Sequence, residues 1–244
     1  MSEWRDDSLI FEAAEVQQNG QRLLGPITLD IREARIAVIG CNGAGKSTFL
    51  RLAAGLVGAA RGQVRISGLD PVKEREGMLA AIGILFQNPD HQIIFPTVHE
   101  ELAFGLRQQG VNAADAAAQV RAHLEQEGRS DWHDRLVHTL SHGQKQWLCL
   151  QAILLMAPRT ILLDEPFAAL DLPTRLRLAR QLGRLKQRLI TITHDPIHAE
   201  SVDRVIWIDR GLVAADGPPA LILPQFHAAM AELGALDADP DPSA

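Results

Sequence analysis

The sequence has no tyrosine, only two cysteines, no excess of basic residues and no apolar run of membrane-spanning length. Cys41 and Cys149 are far apart and in no metal-ligand spacing, so a disulfide framework is not expected and a reducing compartment suits them. The balance of 24 Lys and Arg against 30 Asp and Glu, a formal charge of −6, argues against a general nucleic-acid binder, and no nucleic-acid partner is expected. The longest apolar candidate, Leu148 to Ala157, is interrupted by Gln151 and stops at Pro158, well short of the ~20 residues a helix needs to cross a bilayer. Met1 to Asp7 shows no basic stretch followed by an apolar one, so no secretory leader is expected. Any action at a membrane therefore requires partners that hold the chain there. No internal repeat is visible, and 46% apolar residues suffice for a sizeable core.

What is present begins with Gly40-Cys41-Asn42-Gly43-Ala44-Gly45-Lys46-Ser47-Thr48, directly after the apolar run Arg35 to Ile39. It matches the phosphate-binding template G-x-x-x-x-G-K-[ST] throughout. Glycines let backbone N–H groups turn inward as an anion nest. Lys46 is suited to the β- and γ-phosphates, Ser47 to Mg²⁺, and the helix starting near Gly45 aims its positive end at the same phosphates. A nucleoside triphosphate is the expected ligand.

Short apolar or alternating runs at Leu9–Val16, Ile27–Ile31 and Val64–Ile66 predict strands, as do Ala81–Phe86, Thr160–Leu163 and Leu189–Thr193. Helices are expected at Thr48–Leu56 (ending near Gly58), Val98–Gln108, Ala113–Gln126, Trp132–Val137, Trp147–Met156 and Arg175–Leu185. Asn112 and Ser130 are candidate N-caps and Gly128 a stop. Val205–Ile208 and Leu212–Ala215 read as a hairpin, and the acidic, proline-containing tail from Leu236 as disordered. The pattern is a mononucleotide-binding α/β core with a helical insertion at about 90–140.

Two further elements narrow the chemistry. The run Ile161-Leu162-Leu163 ends in Asp164 and Glu165, placing adjacent carboxylates at a strand's C-terminal edge. Asp164 suits Mg²⁺ and Glu165 the role of general base toward water, which points to hydrolysis. Leu140-Ser141-His142-Gly143-Gln144 precedes an apolar helix, and Ser141-x-x-Gln144 has capping-box spacing. A second helix N-terminus of this kind is a second anion site. Two copies arranged head to tail would let Ser141 of one face the γ-phosphate held by Lys46 of the other.

Together these motifs resemble the ATP-binding cassette (ABC) family over nearly the whole chain. Residues 40–48 resemble its Walker A loop, 160–165 its Walker B strand, Leu140–Gln144 its L-S-G-G-Q signature and Leu170-Asp171 its D-loop. Gln87 resembles the Q-loop glutamine that contacts Mg²⁺, and His194 the γ-phosphate-sensing switch histidine. The resemblance implies a P-loop ATPase core with an N-terminal antiparallel β subdomain and a helical subdomain, residues 1–235 forming the nucleotide-binding domain. It implies ATP and Mg²⁺ as cofactors, with Glu165, His194 and Gln87 catalytic. The phosphate loop and, in trans, Ser141, His142, Gly143, Gln144 and Asp171 would bind ATP, and Ser47, Gln87 and Asp164 the metal.

The stretch Phe86 to Gln92, continued by Phe95-Pro96-Thr97-Val98 and Leu102-Ala103-Phe104-Gly105, resembles the ATPases of energy-coupling-factor importers. Asp164 to Arg175 most resembles the biotin-module ATPase, with a cobalt or nickel module as alternative and a soluble ABC ATPase outside transport as a further one. Implied partners are a like or related ATPase in a homodimer or heterodimer, an integral membrane coupling subunit and a substrate-binding membrane subunit. The implied location is peripheral, on the cytoplasmic face of the membrane. Three residues depart from the family: Gln17 stands near the adenine-stacking aromatic, His142 replaces a signature glycine, and Cys41 replaces a common proline. Phe11 and Trp4 are the remaining stacking candidates.

Overall fold

The computed structural model describes residues 8–194 and 196–236. Its centre is β3 (Arg35–Ile39), where Ile36 to Ile39 are all buried because the strand has parallel neighbours on both sides. Those neighbours are β7 (Arg188–Ile192) and β8 (Arg204–Asp209), and β6 (Thr160–Asp164) and β5 (Ile82–Leu85) continue the sheet beyond β7. The six-stranded order is β5-β6-β7-β3-β8-β9, with β9 (Leu212–Gly217) antiparallel to β8. Parallel strands covered on both faces read as unbroken apolar runs, as β6 and β7 do. Because β3, β5, β6 and β7 run parallel, the segments after them all emerge at one edge, where ligands of open α/β sheets bind.

A three-stranded antiparallel sheet, β2-β1-β4, packs beside this core, with β1 spanning Leu9–Gln18, β2 Gln21–Ile31 and β4 Arg61–Ile66. Phe11 of β1 stacks on Phe49 of α1 (Lys46–Ala53) with centroids 4.8 Å apart. Both rings are buried, and each such burial contributes roughly 1.5–3 kcal/mol, which holds the phosphate-loop helix between the two sheets. The helix ends earlier than the sequence suggested. Gly55, not Gly58, turns left-handed at φ 70°, and a Cβ there would meet the Pro71 carbonyl at 2.3 Å.

Helix α3 (Val98–Gln108), α4 (Ala113–Gln126) and α5 (His142–Leu155) share a separate apolar cluster with Trp132, Val137 and Leu140. Thr97, Asn112 and Ser141 each accept a hydrogen bond from the N–H three residues on. The helix expected at Trp132–Val137 is not one. Ser130–Trp132 and Val137–Thr139 are separate 3₁₀ turns. The backbone between them bonds elsewhere: the N–H groups of Val98 and His99 donate to the Arg135 and His133 carbonyls, and Val137 N–H to Pro96. Ser130 lies inside its turn, and Arg129 occupies the cap position without a side-chain bond.

Helix α2 (Arg75–Ala81), absent from the sequence expectation, takes Ala81 from the strand predicted there. Helix α6 covers Leu172–Arg184, three residues longer at its start, because Asp171 caps it by accepting from Thr174 N–H at 2.9 Å. A short helix α7 (Pro196–Glu200) and an 18-residue α8 (Pro219–Leu236) complete the chain. The stretch read as a disordered tail begins at the last residue of α8, and 237–244 lie outside the described residues.

Candidate functional site

The phosphate loop follows β3 without a break. Gly40 has φ 149°, and a Cβ on it would sit 2.1 Å from the Ile208 carbonyl oxygen, so β8 admits only glycine here. Ala44 N–H closes back onto the Cys41 carbonyl at 3.1 Å, and Ala44's own carbonyl accepts from Gly211 at 2.8 Å, tying the loop to the β8–β9 turn. Helix α1 begins at Lys46 with Gly45 as a left-handed N-cap and no side-chain cap. Its first N–H groups thus face the hollow of the loop, with the positive end of the helix dipole behind them. Lys46 is 8% exposed, and its ammonium folds over the loop to donate to the carbonyls of Gly40 (2.8 Å) and Cys41 (3.0 Å).

The chemistry-bearing residues of the neighbouring strands converge on the same place. Gln87 follows β5, Asp164 ends β6, Glu165 is next, and His194 follows β7, and all four line one cavity of about 690 Å³ with the phosphate loop. Burial pushes the Asp164 carboxyl above its usual range, partly offset by the hydrogen bond from the Ser47 hydroxyl. Glu165 adopts a left-handed φ of 49°, uncommon for a residue with a side chain, which aims its carboxylate away from the strand line. Its Oε2 lies 2.7 Å from Nδ1 of His194, whose ring is mostly exposed.

Ser141, Gly143, Gln144 and Asp171 do not join this cavity. They surround a second one of about 420 Å³ between α5 and α6. The capping box forms: Ser141 N–H donates to Gln144 Oε1 at 2.9 Å, and Gln144 N–H to Ser141 Oγ at 3.4 Å. A Cβ on Gly143 would meet Thr174 at 2.8 Å, so α6 packs against this turn. His142 stands in the first turn of α5 with Nε2 buried and without a hydrogen-bond partner among the described residues. Lys145 pairs with Asp90 at 2.6 Å, joining the signature helix to the turn after Gln87.

Sequence reasoning missed Phe226 and Met230. Both come from α8 and line the phosphate-loop cavity, and the Cys41 thiol donates to the Met230 sulfur at 3.3 Å. No motif marks them; the only signal was the mostly apolar, uncharged stretch from Ala220 to Met230, broken by Pro224, Gln225 and His227. Gln17 sits exposed on β1 beside Glu15 and does not line the cavity. Phe11 is fully buried against Phe49 and offers no face for stacking, and Trp4 lies outside the described residues.

An anion nest opening a helix at the carboxyl edge of a parallel sheet, with an acid pair on a neighbouring strand, defines a P-loop nucleoside triphosphatase. The family model described as "ABC transporter" matches residues 24–168. The chain is 49% identical to the biotin transport ATP-binding protein BioM of Rhodobacter capsulatus over 218 residues, covering 89% of this chain and 93% of that protein. It is 34% identical to the energy-coupling factor transporter ATP-binding protein EcfA1 of Latilactobacillus sakei, covering 89% and 81%. Among solved structures it resembles cbiO1 from Clostridium perfringens, part of the ABC transporter complex cbiONQ, with TM-score 0.75, 27% identity and coverage of 91% and 93%. The chain belongs to the ABC transporter family, as one of its ATP-binding, ATP-hydrolysing members.

Proposed function

We propose that this chain is the ATPase subunit of an energy-coupling-factor importer for biotin. The observation that carries this reading is the 49% identity to a biotin transport ATP-binding protein along almost the full length of both chains. No helix among the described residues is long and apolar enough to cross a membrane, so the solute path belongs to other subunits. The chain sits on the cytoplasmic face, held by an integral coupling subunit, with a separate membrane subunit binding the solute. Residues 1–235 act as one nucleotide-binding domain, of which about 90–140 form the helical subdomain.

Each site is shared between two ATPase chains, alike or related. Gly40 to Thr48 of one chain cradle the ATP phosphates, with Lys46 at the β- and γ-oxygens. Ser141, His142, Gly143, Gln144 and Asp171 of the other approach the γ-phosphate. Ser47, Asp164 and Gln87 fit a hard, oxygen-preferring cation, since hydroxyl and carboxylate already face each other in one cavity. Held by these residues, Mg²⁺ would supply positive charge to offset that of the phosphates. Glu165 accepts the proton of the attacking water, and His194 holds Glu165 in place and reads the γ-phosphate. Transport follows because ATP binds the closed dimer better than the open one; equal affinity would shift nothing.

The test is uptake and composition together. Cells lacking the gene should lose high-affinity uptake of labelled biotin and keep that of cobalt and nickel. The tagged chain should co-purify from detergent-solubilised membranes with two kinds of integral membrane protein. Unchanged biotin uptake, loss of metal uptake instead, or recovery without membrane partners would each overturn the reading.

A further inference from the structure

Beyond the signature turn, α6 and the helical subdomain enclose a groove that the nucleotide chemistry does not use. It has a volume of about 630 Å³ and is lined by Arg129, Arg177, Arg180, Arg184, Gln151 and His123, among others. Arg177, Arg180 and Arg184 stand at i, i+3 and i+7 of α6, one face of one helix. The carboxylate among the lining residues is Glu127. In a chain of formal charge −6, four guanidinium groups converge here, and none lies within ion-pair distance of a carboxylate among the described residues.

Two features distinguish this from an ordinary solvated helix face. The Arg129 guanidinium is held between two indoles, 4.0 Å from the Trp132 ring centre and 4.3 Å from that of Trp147, and is partly stripped of water. A cation so placed is oriented in advance and poorly hydrated, which favours an anion. Gln151 is fully buried; its Oε1 lies 2.9 Å from Nε2 of His123, and its carboxamide nitrogen has no hydrogen-bond partner among the described residues. Native proteins rarely leave a buried donor unmade, and this one belongs to the lining of the basic groove.

We propose that this groove is a binding site for a multiply charged phosphate group, held by Arg129, Arg177, Arg180 and Arg184 with Gln151 Nε2 as an additional donor. Guanidinium forks match phosphate oxygens in pairs, and the excess of four cations over one acid suits an anion of more than one charge. The phosphate is either that of a soluble ligand or a lipid headgroup; the chemistry is shared. Bound there, it bridges α6 to the helical subdomain through Arg129 and Gln151.

The soluble probe is pyrophosphate, titrated into the full chain with saturating ADP so that the phosphate loop is filled, and followed by the fluorescence of Trp147 and Trp132. The lipid probe is co-sedimentation with phosphatidylcholine vesicles carrying or lacking phosphatidate. Wild type should show a saturable response to at least one probe. Arg180→Glu with Arg184→Glu should weaken it about ten-fold or more, with ADP affinity and ATP turnover unchanged. Gln151→Leu should weaken it several-fold, a loss that a merely structural role would not produce at equal melting temperature. A pyrophosphate response assigns a soluble phosphate, and phosphatidate-dependent sedimentation assigns the headgroup. No response to either probe, or equal responses in wild type and the double variant, would overturn the proposal.

Discussion

The roles proposed for Glu165, Lys46 and Asp164 at the phosphate loop are separable because their environments differ. Glu165 pairs with His194 through Oε2, and the proposed base role falls to its other carboxylate oxygen. Glu165→Gln preserves shape and removes the proposed base, so steady-state hydrolysis should fall about 10²-fold or more while ATP still binds and traps the closed dimer. Turnover within a factor of two of wild type would remove Glu165 from its role. Lys46→Ala removes a nearly buried ammonium, and ATP affinity should drop about ten- to a hundred-fold, measured by nucleotide titration. Asp164 behaves oppositely toward stability. Burial raises its folded pKa above the unfolded value, so its ionised form weighs against the fold. That cost is absent at low pH and appears as pH rises through the unfolded toward the folded pKa. Asp164→Asn should therefore raise the melting temperature of nucleotide-free protein at neutral pH while abolishing Mg²⁺-dependent turnover. A lower melting temperature at neutral pH would contradict the desolvation account.

At the scale of elements, sequence and structure agree wherever local chemistry decides and part where tertiary contacts do. The phosphate loop, the Asp164-Glu165 pair and the Ser141–Gln144 capping box were legible because each needs fixed residue types at fixed spacing. The strands of the parallel sheet were legible from unbroken apolar runs. The segment 132–137 looked helical, but its carbonyls and N–H groups are claimed by Pro96 to His99, a long-range pairing that no local pattern announces. Helix α8 was invisible for a similar reason. Pro224 falls inside it, yet Ile222 and Leu223 bury against Ala37 and Ile39 of the central strand. Its consequence for the site is testable. Burial pushes the Cys149 thiol up to about 12, so mild alkylation reports Cys41 alone. Met230→Ala removes the side chain covering Cys41, and alkylation should quicken several-fold, with ATP protecting the thiol in both proteins. Equal rates would mean that α8 does not cover the loop in solution.

On the proposed function the molecule as a whole passes motion from the nucleotide to a partner in the membrane, and the segment after Gln87 is the proposed route. Pro89 to His91 form a turn whose Asp90 pairs with Lys145 on the signature helix, and Cys149 of the same helix donates to the Pro89 carbonyl. The signature helix thus grips this short stretch at two points. Farther along, the N–H groups of Ile94 and Phe95 both donate to Oε2 of buried Glu101 at 2.9 Å. That carboxylate fixes the backbone while the Ile94 side chain is left 67% exposed. A backbone pinned by a buried carboxylate and presenting a bare apolar side chain is the form of a docking point, since exposed apolar groups held in place mark interfaces. Ile94→Glu leaves Glu101, the phosphate loop and every proposed magnesium ligand untouched, so isolated-chain ATP binding and melting temperature should match wild type. At an interface the new carboxylate would be desolvated without a partner, and recovery of the membrane complex and solute uptake should both fall about ten-fold or more. Assembly and uptake at wild-type levels would show that force passes elsewhere. Loss of ATP binding in the isolated variant would show instead that the segment supports the nucleotide site itself.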